Sequence, residues 1–270
     1  MPERAVARPS PRHGAIMSAL GVRIDAARLK FRDQWLFKDL SCEFPAGSWT
    51  CLLGRSGCGK SSLLRLIAGL SLPETSHIAI TTDDGFSLNG RVAWMSQQDL
   101  LLPWRRVIDN VVLGPSLRGK ICRCDIERGT ALLDAVGLAD KHDQWPAALS
   151  GGQRQRVALA RTLFESAPLI MMDEPFSALD AITRLELQEL ATRLLASRTV
   201  VLVTHDPFEA IRLADQILIF QGHPARLERL GPPPGKRPRD PADPELNTWQ
   251  AQLLTHLRHD DAVEINHEVF

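Results

Sequence analysis

Three glycines, a lysine and a hydroxyl stand at fixed spacing in Gly54-Arg55-Ser56-Gly57-Cys58-Gly59-Lys60-Ser61, with Ser62 directly behind. Gly54, Gly57 and Gly59 permit backbone conformations closed to other residues, so the N–H groups from Arg55 through Ser62 can converge on an anion at the positive end of a helix. Lys60 supplies a mobile cation for the β and γ phosphates of a nucleoside triphosphate, and the Ser61 hydroxyl is an oxygen ligand suited to Mg²⁺. Such a loop works only between a strand and a helix. Ser48 to Leu53 reads as a buried strand, and the residues after Gly59 as a helix with Leu63, Leu64 and Ile67 turned inward, ending at Gly69.

Leu169-Ile170-Met171-Met172 is a short apolar run behind Pro168, which suits a central parallel strand whose carboxyl end opens on a ligand crevice. It delivers Asp173 and Glu174. Taken alone, such a pair is expected to cap the next helix. Behind a phosphate loop, Asp173 is expected in the Mg²⁺ shell and Glu174 as the general base toward the attacking water. Thr199 to Thr204 is a second β-branched run, ending at His205. By residue type alone, a single His at a strand end is more often structural than functional. Asp206, Pro207 and Glu209 read as the N-cap, first residue and box partner of the helix that follows.

Leu149-Ser150-Gly151-Gly152-Gln153 opens a further helix running through Arg154 to Phe164, and its free N–H groups form a second place for an anion. With the phosphate loop and the Asp173-Glu174 pair, this segment resembles the ATP-binding cassette ATPases. The resemblance implies an α/β fold, with a P-loop NTPase (RecA-like) core, an antiparallel β subdomain and an inserted α-helical subdomain. It implies a head-to-tail homodimer in which each ATP lies between the phosphate loop of one subunit and Ser150, Gly151, Gly152 and Gln153 of the other. His205 then matches the family's switch histidine. Gln97 matches its Q-loop glutamine, which contacts Mg²⁺ and the water; Gln98 competes, but with Gln97 the family's proline falls on Pro103. Ser177-Ala178-Leu179-Asp180 resembles the D-loop, which brings Asp180 to the opposite subunit's nucleotide site. Phe31, 23 positions before Gly54, falls where the family stacks an aromatic on adenine. That residue is usually Tyr; this chain contains no Tyr, and Phe keeps the stacking face while losing the hydroxyl. Judged by itself, Phe31 is nearly as well explained as a buried strand residue.

The elements that must hold these residues fit one sizeable domain in 270 residues. The expected layout is a disordered extension at 1–17, with Met17 as an alternative start, an ATPase domain at 18–224 with its helical subdomain at about 98–164, and a Pro-rich linker and short tail at 225–270. Lys plus Arg and Asp plus Glu number 32 each, and no block of like charge suggests a nucleic-acid partner. No run approaches the roughly 18 apolar residues of a membrane span, so the membrane part of any transporter would be another polypeptide. The five cysteines, at 42, 51, 58, 122 and 124, lack metal-ligand spacing and are expected as reduced thiols, with Cys58 a reactive thiol of low pKa. The resemblance implies the ATPase of a bacterial importer, peripheral on the cytoplasmic face of the membrane, with separate permease subunits and, through them, a periplasmic or extracellular solute-binding protein. The alternative is a soluble, non-transport cassette ATPase. Met95-Ser96-Gln97-Gln98-Asp99-Leu100-Leu101-Leu102-Pro103-Trp104 resembles the nitrate, sulfonate and taurine importer group, and within it ATPases assigned to hydroxymethylpyrimidine. Leu102 and Trp104 are expected to be exposed for docking on a permease.

Overall fold

The computed structural model describes residues 19–70, 76–119 and 121–264, with side chains of the last helix described to 257. The expected extension at 1–17 lies outside these residues. β1 (Val22–Phe31) and β2 (Gln34–Phe44) pair antiparallel around a tight turn, and β4 (Ser76–Thr82) pairs on the other edge of β1. Val22 and Ile24 point to the core, then Ala27 and Leu29. A register slip between Ile24 and Ala27, with Ala26 at φ +49°, absorbs the odd residue that would otherwise turn the second pair to solvent.

Between β2 and β4 lie β3 (Trp49–Leu53), buried throughout, and α1 (Lys60–Ile67). The chain continues through β5 (Val92–Met95), then α2 (Val107–Val111), α3 (Leu113–Arg118), α4 (Arg123–Ala135) and α5 (Gly151–Phe164). It then alternates β6 (Leu169–Asp173), α6 (Ala181–Leu194), β7 (Thr199–Thr204), α7 (Pro207–Leu213) and β8 (Gln216–Gln221). The second sheet has the order β5-β6-β7-β3-β8, all parallel, extended by an antiparallel strand β9 (Arg226–Leu230). Its apolar central strands are covered on both faces, as a parallel sheet requires. The carboxyl ends of β3, β6 and β7 lie side by side, which brings the phosphate loop, the acidic pair and His205 to one edge.

Helices α2 to α5 fill the interval between β5 and β6 where the helical insertion is expected. The region beyond 224 differs from a linker. Ala225 N–H donates to Leu36 O at 2.7 Å, β9 completes the sheet, and α8 (Pro244–Glu264) lays Leu246 and Leu253 on α7 and β8. Arg239 is 5 % exposed and donates to the carbonyls of Pro233, Pro234, Gly235, Ile211 and Ala214 at 2.6–3.2 Å. Proline-rich wording reads as a loop because it cannot form ladders; here a buried guanidinium gathers its carbonyls instead. Two further expectations are corrected. Glu209 does not box its helix: Asp206 alone accepts from Phe208 N–H at 2.9 Å, and Glu209 turns inward to accept from Gln188 Nε2 at 3.0 Å. Cys122 and Cys124, expected as free thiols, are joined in a disulfide.

Candidate nucleotide site

β3 runs straight into the phosphate loop, and Gly54 is fixed there by contact: a Cβ on it would lie 2.9 Å from Phe220 Cβ and 3.0 Å from Phe220 O. Gly57 at φ +85° and Gly59 at φ +106° turn the loop onto α1, whose N-cap is Gly59. Lys60 is buried, and its ammonium donates to Gly54 O at 2.7 Å and Arg55 O at 2.6 Å, so the charge sits inside the loop it is meant to serve. Arg55 and Ser56 are exposed at the lip, and Ser62 is half-buried beside Ser61. Cys58 is buried, and burial pushes its thiol up, only partly opposed by Lys60. The expected low-pKa thiol is therefore corrected: desolvation of the sulfur outweighs its neighbouring cation.

Ser61 Oγ donates to Asp173 Oδ1 at 2.9 Å. The Asp173 carboxyl is raised by burial, with the neighbouring Glu174 charge adding to it and Ser61, Arg65 and Lys60 opposing it. Two hard oxygens side by side, one on a carboxylate that burial leaves short of positive charge, suit a divalent cation such as Mg²⁺. Glu174 leaves the end of β6 at φ +48°, its N–H donating to Val203 O at 2.9 Å, and its Oε2 lies 3.1 Å from His205 Nδ1. Glu174 and His205, expected as base and switch residue, thus meet across the ends of β6 and β7. Gln97 Nε2 donates to Ser177 Oγ at 3.2 Å, and Ser177 Oγ to Glu174 O at 3.0 Å, so the glutamine reaches the acidic pair through one hydroxyl.

Ser150 caps α5: its Oγ accepts from Gln153 N–H at 3.2 Å, and Gln153 Oε1 accepts from Ser150 N–H at 2.9 Å. The Gln153 side chain expected at a nucleotide is engaged in this capping box. Gly151 is exposed, while a Cβ on Gly152 would lie 2.4 Å from Thr183 Cγ2, one turn into α6. Asp180 caps α6 by accepting from Thr183 N–H at 3.0 Å, so α6, the helix after the D-loop segment, begins against the Ser150–Gln153 turn of its own chain, the family's signature turn. Phe31 is 48 % exposed at the tip of β1, which settles it as a surface aromatic, and Phe37 on β2 lies against Gly59.

Sequence reasoning missed the fastening of the segment after Gln97. Arg154 Nε pairs with Asp99 Oδ2 at 3.0 Å, Gln155 Nε2 donates to Gln97 O at 2.8 Å, and Arg161 donates to the carbonyls of Asp99 and Leu100 at 2.5 and 2.9 Å. The spacing of Arg154 and Arg161, two turns apart on one helix face, was the available signal. This lashing exposes Leu100 and Trp104, at 59 % and 70 %, while Leu102 is half-buried with its N–H on Asn110 Oδ1 at 2.7 Å. The expected exposure of Leu102 is therefore corrected toward Leu100. Among the described residues no helix is long and apolar enough to cross a membrane.

Residues 37–177 match the family model described as ABC transporter. The chain is similar to an uncharacterized ABC transporter ATP-binding protein of Haemophilus influenzae, 43 % identical over 87 % of this chain and 98 % of that protein. It is also similar to aliphatic sulfonates import ATP-binding protein SsuB 1 of Rhodococcus jostii, 44 % identical over 86 % of this chain and 91 % of that one. A solved structure described as a metal-chelate type ABC transporter in an inward-facing conformation superposes with TM-score 0.67 at 26 % identity, covering 78 % of this chain and 83 % of the other.

Proposed function

We propose, since this chain belongs to the ABC transporter family, that it is the ATP-hydrolysing subunit of a bacterial importer, acting as a homodimer on separate permease subunits at the cytoplasmic face of the membrane. The observation that carries the chemistry is the convergence of Ser61–Asp173 and Glu174–His205 pairs, at 2.9 and 3.1 Å, on neighbouring strand ends beside Lys60. Ser61 and Asp173 would hold Mg²⁺, with Gln97 near it; when bound, the ion neutralises charge on the phosphate oxygens. Lys60 and the loop N–H groups position the β and γ phosphates. Glu174 takes the proton of the water that attacks the γ phosphorus, and the bond to the bridging oxygen breaks as ADP leaves. His205 holds the Glu174 carboxylate through Nδ1 and offers its other ring nitrogen toward the γ phosphate.

The capped N-terminus of α5, at Ser150, Gly151 and Gly152, offers a second anion seat, which supports a homodimer in which the other subunit's ATP docks there. Phe31 offers an exposed face for adenine. Trp104 and Leu100 offer an apolar surface for a permease, and the importer would take its cargo from a solute-binding protein. The sulfonate names of the relatives support an aliphatic sulfonate as cargo, although the ATPase itself does not touch it.

The test is Glu174→Gln. ATP binding should persist, turnover should fall by about 10²-fold or more, and ATP should drive the variant into a dimer on a sizing column. Hydrolysis near the normal rate would place the base elsewhere.

A further inference from the structure

Two of the chain's cysteines lie far from the phosphate chemistry in sequence and in surroundings. Cys122 and Cys124 are both exposed and are bonded to each other across Arg123, where the chain enters α4. Cys122 is the N-cap of that 13-residue helix: its Sγ accepts from Asp125 N–H at 3.2 Å, and the Asp125 carboxylate accepts from Cys122 N–H at 3.0 Å. The backbone donor and the positive end of the helix favour the thiolate at this position, and the Asp125 carboxylate, 3.1 Å from the sulfur, opposes them. The other three cysteines contrast with it. Burial pushes the Cys42 thiol up to about 12 and the Cys51 thiol well above its ordinary value, and Cys58 is raised by the same cause.

We propose that Cys122 and Cys124 form a reversible thiol–disulfide exchange site for low-molecular-weight disulfides, with Cys122 as the attacking sulfur. In the closing direction the Cys122 thiolate attacks one sulfur of a disulfide RSSR, forms a mixed disulfide and releases RS⁻. Cys124, its proton lost to solvent, then attacks the Cys122 sulfur, forms the intramolecular bond and releases the second RS⁻. The two cysteines give up two electrons and two protons, and RSSR is reduced to two RSH; excess thiol runs the exchange backwards. The site opens α4, which runs antiparallel against α5, so it lies toward the Phe164 end of α5, the length of that helix away from Ser150.

The experiment uses the folded full chain, reduced and then freed of reductant. Brief native alkylation should label Cys122 first, Cys124 next, and leave Cys42, Cys51 and Cys58 unlabelled until denaturation. Oxidised glutathione should remove two of the five alkylatable thiols from the wild type without leaving glutathione on the protein. Cys124→Ser should instead keep one glutathione at Cys122, and Cys122→Ser should react more slowly. Circular dichroism checks that both variants fold. The proposal is overturned if oxidised glutathione leaves all five thiols alkylatable, or if it labels the two single variants at equal rates. The sulfurs and the Asp125 carboxylate also lie within 4.8 Å of one another. Stoichiometric Zn²⁺ binding by the reduced protein that blocks disulfide closure would overturn exchange in favour of a metal chelate.

Discussion

Gly152→Ala tests whether the signature turn and the D-loop helix of one chain are in contact. An alanine Cβ there would lie 2.4 Å from Thr183 Cγ2, against an ordinary carbon–carbon contact of about 3.5–4.0 Å. One of the two helix starts must move by roughly 1 Å, and such overpacking costs about 1–3 kcal/mol. Alanine in place of glycine in the first turn of α5 returns about 0.5–1 kcal/mol. The single variant should therefore be about 0–2.5 kcal/mol less stable than wild type. Thr183→Ala removes the opposing methyl but keeps the backbone N–H that Asp180 caps. In that background Gly152→Ala should be neutral or stabilising by about 0.5–1 kcal/mol. Urea midpoints of the four proteins, with unchanged slopes, complete a double-mutant cycle whose interaction term should be about 1–3 kcal/mol. If Gly152→Ala shifts the midpoint equally in both backgrounds, the two helix starts do not touch and the reasoning fails.

Glu209 is buried and its carboxyl is raised to about 7, chiefly by burial, from an ordinary value of 4.5. The folded state holds this proton better than the unfolded state, so the contribution is fully present below pH about 4.5 and is lost as pH rises to about 7, by roughly 3 kcal/mol at most. Glu209→Gln keeps an acceptor for Gln188 and should flatten the stability profile between pH 5 and 8 by about that amount; parallel profiles would show that the group does not titrate there. Trp104→Ala should leave folding and ATP turnover near wild type while reducing recovery with its permease subunits, measured by co-purification. Unfolding would make Trp104 a packing residue despite its exposure. Lys60→Ala and Ser150→Arg, each inactive alone, should regain part of the turnover when mixed, because mixed dimers contain one intact composite site. No recovery, in a mixture shown to contain mixed dimers, would refute shared sites.

The geometry of the candidate site was legible where consecutive residues set it. Gly54 through Ser61 and Leu149 through Gln153 carry their geometry locally, in positive-φ glycines and in a capping serine, so the turns follow from the wording itself. Asp173, Glu174 and His205 were legible because parallel strands of similar length deliver their carboxyl ends to one edge. What escaped depends on partners distant in the chain. Arg239 reads as one charge in a proline-rich stretch, because its partners at Ile211 and Ala214 are carbonyls, which no sequence pattern marks. Glu209 fits a capping box by spacing, yet buried Gln188 bonds it instead. Leu100 and Leu102 are alike in sequence, and only the lashing of the Gln97 segment to α5 decides which one faces solvent.

The anchoring by Arg239 reaches beyond the residues it touches. Six carbonyls close on one guanidinium, that of Arg212 the most distant at 3.5 Å, and Leu246 and Leu253 seat α8 on the sheet's flank. Replacing Arg239 would strand the carbonyls of Ile211 and Ala214 at the end of α7, whereas material appended after α8 would disturb neither. A dye carried on the exposed face of α8 would move as a pointer fixed to the core, not as a weight on a string. In the proposed homodimer, energy transfer between two such dyes would then read the angle between the subunits through the nucleotide cycle, free of the wandering that a flexible tether adds.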